Sequence, residues 1–229
     1  MSTMIDRFPE LLEAIWLTIQ LTFISSIAGL LLAVPLSILA LSKRKWIHLP
    51  IDAYSYFFRG TPLLVQIYIL YFGLGQFEAI RDIEWLWDNI LSEPYACALV
   101  AFSLNTAAYS LEIFKGSIKN TPKGEIEAGM AFGMSKFTLF RRIIFPSGFR
   151  RALPAYGNEV IFMLHGTAQA SAITLVDILG FAKQVHYQTF AVFTPFLIAA
   201  ALYIAITFVL VFIFRKCEKR WLAYLGPQR

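Results

Sequence analysis

Thr121-Pro122-Lys123-Gly124-Glu125-Ile126-Glu127-Ala128-Gly129-Met130-Ala131-Phe132-Gly133 is a polar stretch between two apolar runs, and it continues to Ile143-Ile144-Phe145-Pro146. Its pattern is helical. The Thr121 hydroxyl can cap free N–H groups, and Pro122 at the first helical position lacks a donor that would go unpaired. Glu125 and Glu127 then fall in the first turns, where carboxylates complement the positive end of the helix dipole. Ala128, Gly129, Ala131 and Gly133 are small and let another backbone approach closely. Phe132, Met134, Phe137 and Phe140 supply apolar anchors, with Arg141 and Arg142 just beyond. Such a segment suits a cleft in a partner, or packs as an ordinary amphipathic helix under a bundle. Residue types alone leave both open.

Outward from this segment the chain is oily. Of its 229 residues 58% are hydrophobic and only 15% charged, with 21 Phe and a mean hydropathy of +0.61. A bilayer core of about 30 Å needs roughly 20 apolar residues per helix. Runs of that kind occur at about 14–41, 51–75, 95–114, 153–170 and 194–214. They are continuous, without the period-two alternation of barrel strands. The expected fold is all-α: one polytopic membrane domain over residues 1–229, with five transmembrane helices and a central loop at 115–151. Pro35 is a bend candidate in the first run, Arg59-Gly60-Thr61-Pro62 interrupts the second, and polarity from His165 to Gln169 suggests that the fourth breaks there. Met1 to Glu13 lacks the basic region of a signal peptide. Cys97 and Cys217 have no ligand-like spacing, so neither a disulfide nor a metal framework is indicated.

Charge sets an orientation. Lys43 to Lys45, the segment 115–151 and the tail from Arg215 to Arg229 hold sixteen of the 20 Lys and Arg. With five spans all three lie on one side, which the positive-inside rule makes the cytoplasm. The other side carries Glu78, Asp82, Glu84, Asp88 and Glu93, opposed only by Arg81. The N-terminus is then outside and the C-terminus inside. The net charge of +5 is an orientation signal, not a sign of nucleic-acid binding. Trp16, Trp46, Trp85, Trp87 and Trp221 suit the headgroup level, and Ile83 to Leu91 could lie on the outer surface as a short helix.

Glu127-Ala128-Gly129, Gly133 and Ile143-Ile144-Phe145-Pro146 resemble the cytoplasmic loop signature of ATP-binding-cassette importer permeases: E-A-A, three residues, G, nine residues, I-x-L-P. Gly129 and Phe145 depart from it, but the spacing is intact. A second set is similar to polar amino-acid uptake permeases: Phe58 to Gln66, Ala107-Ala108-Tyr109 with Glu112-Ile113-Phe114, and Leu153 to Tyr156 with Asn158 to Ile161. Met163-Leu164-His165-Gly166-Thr167 draws the resemblance toward importers of histidine, lysine/arginine/ornithine, octopine and nopaline. Many other members have Leu-Lys-x-Ser there.

The resemblance implies a type I importer permease fold and a bacterial inner-membrane protein that carries basic amino acids or opines inward by alternating access. Glu127, Ala128, Gly129, Gly133, Ile143 and Pro146 would dock on the ATPase. The implied partners are a sister permease or second copy, two ATP-binding-cassette ATPase subunits, a periplasmic substrate-binding protein and membrane lipid. ATP and Mg would sit on the ATPase, with no cofactor in this chain.

Ionisable groups inside hydrocarbon are costly and are therefore functional candidates. Glu159 could attract a cationic substrate, or serve as a structural acid beside Arg150 or Arg151. His165 with Thr167, Gln169 and Ser171 could line a polar path. Arg59, read as near the cytoplasmic end of the second span, could snorkel to phosphates or meet a substrate carboxylate. Glu112 and Lys115 suggest a structural ion pair. No phosphate-binding loop, metal motif or serine-nucleophile motif appears, so no catalytic residue is assigned. An ion channel subunit and a membrane-embedded hydrolase are the alternatives.

Overall fold

The computed structural model describes residues 7–222, which contain helices and turns and no strand. Arg229, counted above with the basic tail, lies outside the described residues. Helix is the economical answer for such a sequence, because hydrocarbon offers no partner to a backbone N–H or C=O. The first helix, α1 (Phe8–Leu39), runs unbroken through Pro35. It is followed by α2 (Lys45–Gly60) and α3 (Leu63–Tyr68), the latter extended by helical turns to Gln76. Next come α4 (Pro94–Lys119), α5 (Lys123–Ala131) and α6 (Lys136–Leu139). Then α7 (Phe145–Gly166) tightens into a 3₁₀ stretch, Thr167–Ile173. Last are α8 (Ile178–Thr189) and α9 (Phe193–Trp221). Three helices, α1, α4 and α9, are each long and apolar enough to cross a membrane. The count rises to 5 if each of two bent pairs is one span.

The central loop is shorter than hydropathy suggests. α4 stays helical to Lys119 and α7 begins at Phe145, because apolar character marks the edge of the hydrocarbon and not the end of the helix.

The spindle is α4. Its Cys97, Ala98, Ala101, Phe102, Ala107, Ala108 and Leu111 have no exposed surface. Helices in lipid gain little from apolar burial against one another, so close backbone approach must hold them. On α1, Ser25, Ser26, Gly29 and Ala33 are buried, and a methyl group at Gly29 would strike the Thr106 side chain. By contrast, only 11% of the most apolar stretch of α9 is buried, and Leu197, Phe208 and Phe212 point outward.

Both bends are built from side chains. Between α2 and α3 the chain turns by 104°. Gln66 Nε2 donates to the Phe58 and Thr61 carbonyls (2.8 and 3.0 Å), and Asn105 Nδ2 donates to Phe58 O and to Gln66 Oε1 (3.1 and 3.0 Å). Carbonyls freed by the break are thus satisfied without water. The second bend, of 46°, contains Thr174 in the left-handed region at φ 72°. Asp177, fully buried, caps α8 by accepting from Leu179 N and Gly180 N and takes a third bond from the Tyr203 hydroxyl at 2.9 Å. Ile178 N donates to Thr18 Oγ1, which ties the same corner to α1.

These contacts sort the molecule into two ends. At one, Arg7 bonds Glu10, Gln184 and Gln188 and lies over the Phe181 ring. At the other, Lys115 pairs with Asp52 at 2.7 Å and Glu112 at 3.5 Å, Arg151 pairs with Glu125 at 2.7 Å, and Trp221 meets Phe149. The described basic clusters gather at this second end. Trp46 and Trp16 are exposed, as anchoring residues would be. Trp87 differs. With Leu86 and Ile90 it packs on the core around Phe102, and a methyl at Gly75 would meet its ring at 2.9 Å, so the short helical segment 83–91 seats one face on the core while Ile83, Trp85 and Asp88 stay exposed.

Candidate functional site

Where α2 breaks into α3, the wall beside it opens into a cavity of about 540 Å³, large enough for an amino acid. Leu63, Asn105 and Tyr109 form one side; Glu159, Phe162, Met163, His165, Gly166 and Gln169 form the other. The polar members on this side, Glu159, His165 and Gln169, all come from α7 and its continuation.

Glu159 is buried and does not pair with Arg151, which is engaged by Glu125. Its Oε1 accepts from Thr106 Oγ1 at 3.0 Å. The second carboxylate oxygen has spare acceptor capacity. The Arg59 guanidinium lies 5.5 Å from the centre of the ring of Tyr109, which lines the cavity. Arg59 therefore sits at the bend beside the cavity.

His165 is exposed toward the cavity, and its Nε2 lies 3.2 Å from Thr207 Oγ1. The helix does not break at His165. It continues through Gly166 and tightens, and the real corner comes at Thr174. The tightening is helped by Thr167 and Ser171, whose hydroxyls donate to Leu164 O and Ala168 O. Thr167 is buried in packing and does not line the cavity. Gln169 does, and its Oε1 is a buried acceptor with no hydrogen-bond partner among the described residues. Ser171 Oγ accepts from Lys183 Nζ at 2.9 Å. Sequence reading missed Asn105 and Tyr109. Their polarity on helical segments was visible, but their neighbours are far along the chain.

The second site is the segment α5–α6. The Thr121 hydroxyl does not cap α5; it donates back to Ile118 O, and Pro122 holds the cap position. Proline there leaves no side-chain acceptor over the first turn, so Thr121 completes the preceding helix instead. At its far end α5 closes with two crossed bonds, Gly133 N to Met130 O (2.9 Å) and Met134 N to Gly129 O (3.2 Å). This C-terminal lock needs a left-handed residue, and Gly133 supplies it at φ 74°. Gly129 has a different reason for being small. It is buried, and a methyl there would strike Leu139 and come 2.7 Å from Ile143 Cδ1. Gly129 and Ile143 thus hold the segment's two helices together, and Gly129 offers no close approach to another protein. The outward surface is instead Glu127, Ala128, Met130 and two bare rings, Phe132 (85% exposed) and Phe137 (72%), with Arg141 and Arg142 beside them. Pro146 starts α7.

Comparisons with known proteins agree with this architecture. Residues 25–222 match the family model described as "Binding-protein-dependent transport system inner membrane component". The chain is 44% identical to the nopaline transport system permease NocM of Agrobacterium fabrum, covering 90% of this chain and 85% of that one. It is also 44% identical to the histidine/lysine/arginine/ornithine transport system permease HisM of Escherichia coli K12 (96% and 91%) and to the octopine transport system permease OccM of Rhizobium meliloti (98% and 89%). Among solved structures it is similar to a chain of an amino acid ABC transporter crystallised with histidines, with TM-score 0.85, 30% identity, and 95% and 97% of the two chains covered. An inward-facing MetNI methionine transporter shares the fold, with TM-score 0.77, 16% identity, and 94% and 98% covered. These relatives favour neither an ion channel nor a hydrolase. The chain therefore belongs to the family of binding-protein-dependent transport system inner membrane components.

Proposed function

We propose that the chain is one half of the membrane pathway of an ATP-driven bacterial importer for basic amino acids or opines. In this reading each bent pair is a single span, giving five, with the N-terminus outside and the basic end in the cytoplasm of an inner-membrane protein. A sister permease or second copy completes the pathway, and a periplasmic binding protein delivers substrate. Two ATPase subunits hold ATP and Mg and grip the segment from Glu127 to Pro146, with Phe132 and Phe137 as the knobs. Closure of the ATPase pair turns the cavity outward, and release turns it inward.

One observation carries the substrate class. The buried Glu159 lines a cavity of amino-acid size, and Arg59 lies against Tyr109 of the same lining. A carboxylate and a guanidinium beside one cavity complement the cationic side chain and the carboxylate of a basic amino acid. Asn105, His165 and Gln169 add hydrogen-bonding groups to the same lining.

The test is uptake of radiolabelled arginine into proteoliposomes holding the whole complex, with ATP on the ATPase side and binding protein on the other. Glu159→Gln is expected to cut uptake about 10- to 100-fold, the range for losing one buried charge-assisted contact. ATP-independent flux, or full arginine uptake by the variant, would overturn the reading.

A further inference from the structure

A second cavity, of about 470 Å³, lies at the Arg7 end of the molecule, and its size is that of a small-molecule site. Glu10, Glu13, Trp16 and Gln20 line it from α1, with Val176 and Gln184 from beyond the second bend. Arg7 engages Glu10 and donates to Gln184 Oε1 at 3.0 Å, which leaves the Gln184 amide N–H groups as donors. Glu13 and Gln20 make no hydrogen bond or ion pair among the described residues.

The place of this cavity in the bilayer follows from α1. From Leu21 to Leu39, where the helix ends, there is no charged residue, and that length of helix rises about 28 Å, close to the hydrocarbon thickness of about 30 Å. Gln20 thus marks one edge of the oily layer, and the cavity stands in the headgroup layer, where Trp16 also belongs. The same helix face continues into the hydrocarbon. At 3.6 residues per turn Glu13, Trp16, Gln20, Ile24, Ile27 and Leu31 fall on one side, and the apolar ones are exposed. From Gln20 to Leu31 the stripe runs about 16 Å, about half the hydrocarbon and so one leaflet deep.

A polar cavity among headgroups with a leaflet-deep apolar stripe beneath it fits an amphiphile, and the unpaired carboxylate calls for a cationic head. A second copy of this chain would bring its own acids, Glu78, Asp82, Glu84, Asp88 and Glu93, toward Glu13 at this end. A soluble protein would not reach the stripe. We propose that the cavity is a binding site for a phospholipid with an ammonium headgroup, such as phosphatidylethanolamine. The ammonium donates to the Glu13 carboxylate, phosphate oxygens accept from the amides of Gln20 and Gln184, and one acyl tail lies along Ile24, Ile27 and Leu31.

Native mass spectrometry of the purified, delipidated complex tests this, with phosphatidylethanolamine or phosphatidylglycerol of identical tails added in steps. The wild-type complex is expected to bind the ethanolamine lipid about tenfold more tightly, the value of one charge-assisted contact, and Glu13→Gln to remove that preference. Glu13→Lys is expected to reverse it. Glu13 is exposed, so neither change threatens the fold. Free phosphoethanolamine, the head without tails, should not displace the lipid at equal concentration; if it does, the occupant is a soluble phosphate ester and the proposal falls. An unchanged lipid preference in Glu13→Gln would reduce the lipid to unspecific annulus and overturn the site. So would loss of the sister permease or the binding protein from the Glu13→Gln complex with lipid binding intact, which would give this face to a protein. None of these readouts involves transport, so they stand apart from the importer reading.

Discussion

Gly133 shows how one residue can be small for a reason that has nothing to do with room. A methyl group there would meet no atom within 4 Å, yet the backbone stands at φ 74°, which L side chains disfavour. Gly133→Ala is expected to cost the end of α5 about 1 kcal/mol, seen as faster hydrogen exchange at Gly133 and Met134, the amides that close the lock. ATPase co-purification would weaken while the amount of protein in the membrane stays constant. Gly129→Val acts differently, by forcing Leu139 and Ile143 apart, and a second substitution, Leu139→Ala, is expected to restore part of the co-purification. The segment α5–α6 was legible in the sequence because its signals are local: a proline start, a glycine stop, and a fixed interval between Glu127 and Pro146. What the sequence did not show was the reason for Gly129, since that depends on a helix folded back from Lys136 onward. The cavity was legible only in part. Glu159, His165 and Gln169 stand out on an apolar background, but Asn105 and Tyr109 look like ordinary polar residues of a packed helix until α2 and α3 are placed against them.

At the scale of elements, the two bends carry the design. Each is a place where hydrogen-bonding groups would be orphaned in an apolar medium, and each is answered by buried polar side chains. Gln66→Leu removes donors from the Phe58 and Thr61 carbonyls and leaves Asn105 as the remaining donor to Phe58. The expected loss is about 1–3 kcal/mol, read as a lower unfolding midpoint of the detergent-solubilised complex. Asp177→Ala strips both cap bonds of α8 and the Tyr203 contact, for about 2 kcal/mol. Asp177→Asn keeps an acceptor for the cap and is expected to lose less. An Asp177→Ala protein as stable as the parent would show that the corner is held elsewhere. These bends were foreseeable from Gly60-Thr61-Pro62 in the first case. They were misplaced in the second, because polarity at His165 reads as a break when the chain in fact tightens there and turns at Thr174.

For the whole molecule, the gathering of basic clusters at one end fixes what surface labelling should find. Cys217 is exposed at the basic end of α9 and Cys97 is buried in α4. A membrane-impermeant maleimide should leave the wild-type protein unmodified in right-side-out vesicles and label Cys217 in inverted ones. Trp85→Cys, at an exposed site on the opposite loop and combined with Cys217→Ser, should reverse the pattern. Labelling of Cys217 from outside would invert the orientation and end the coupling model. The bareness of α9 has one more consequence. A helix so little covered by its own chain takes its remaining neighbours from outside it, acyl tails or a partner subunit. Bilayers whose oily layer is thinner than about 30 Å would force that helix to lean. Since its root at Phe214 presses on Gly157 of α7, the lean would be passed to the helix that bears Glu159, and turnover should vary with tail length even when every partner is present.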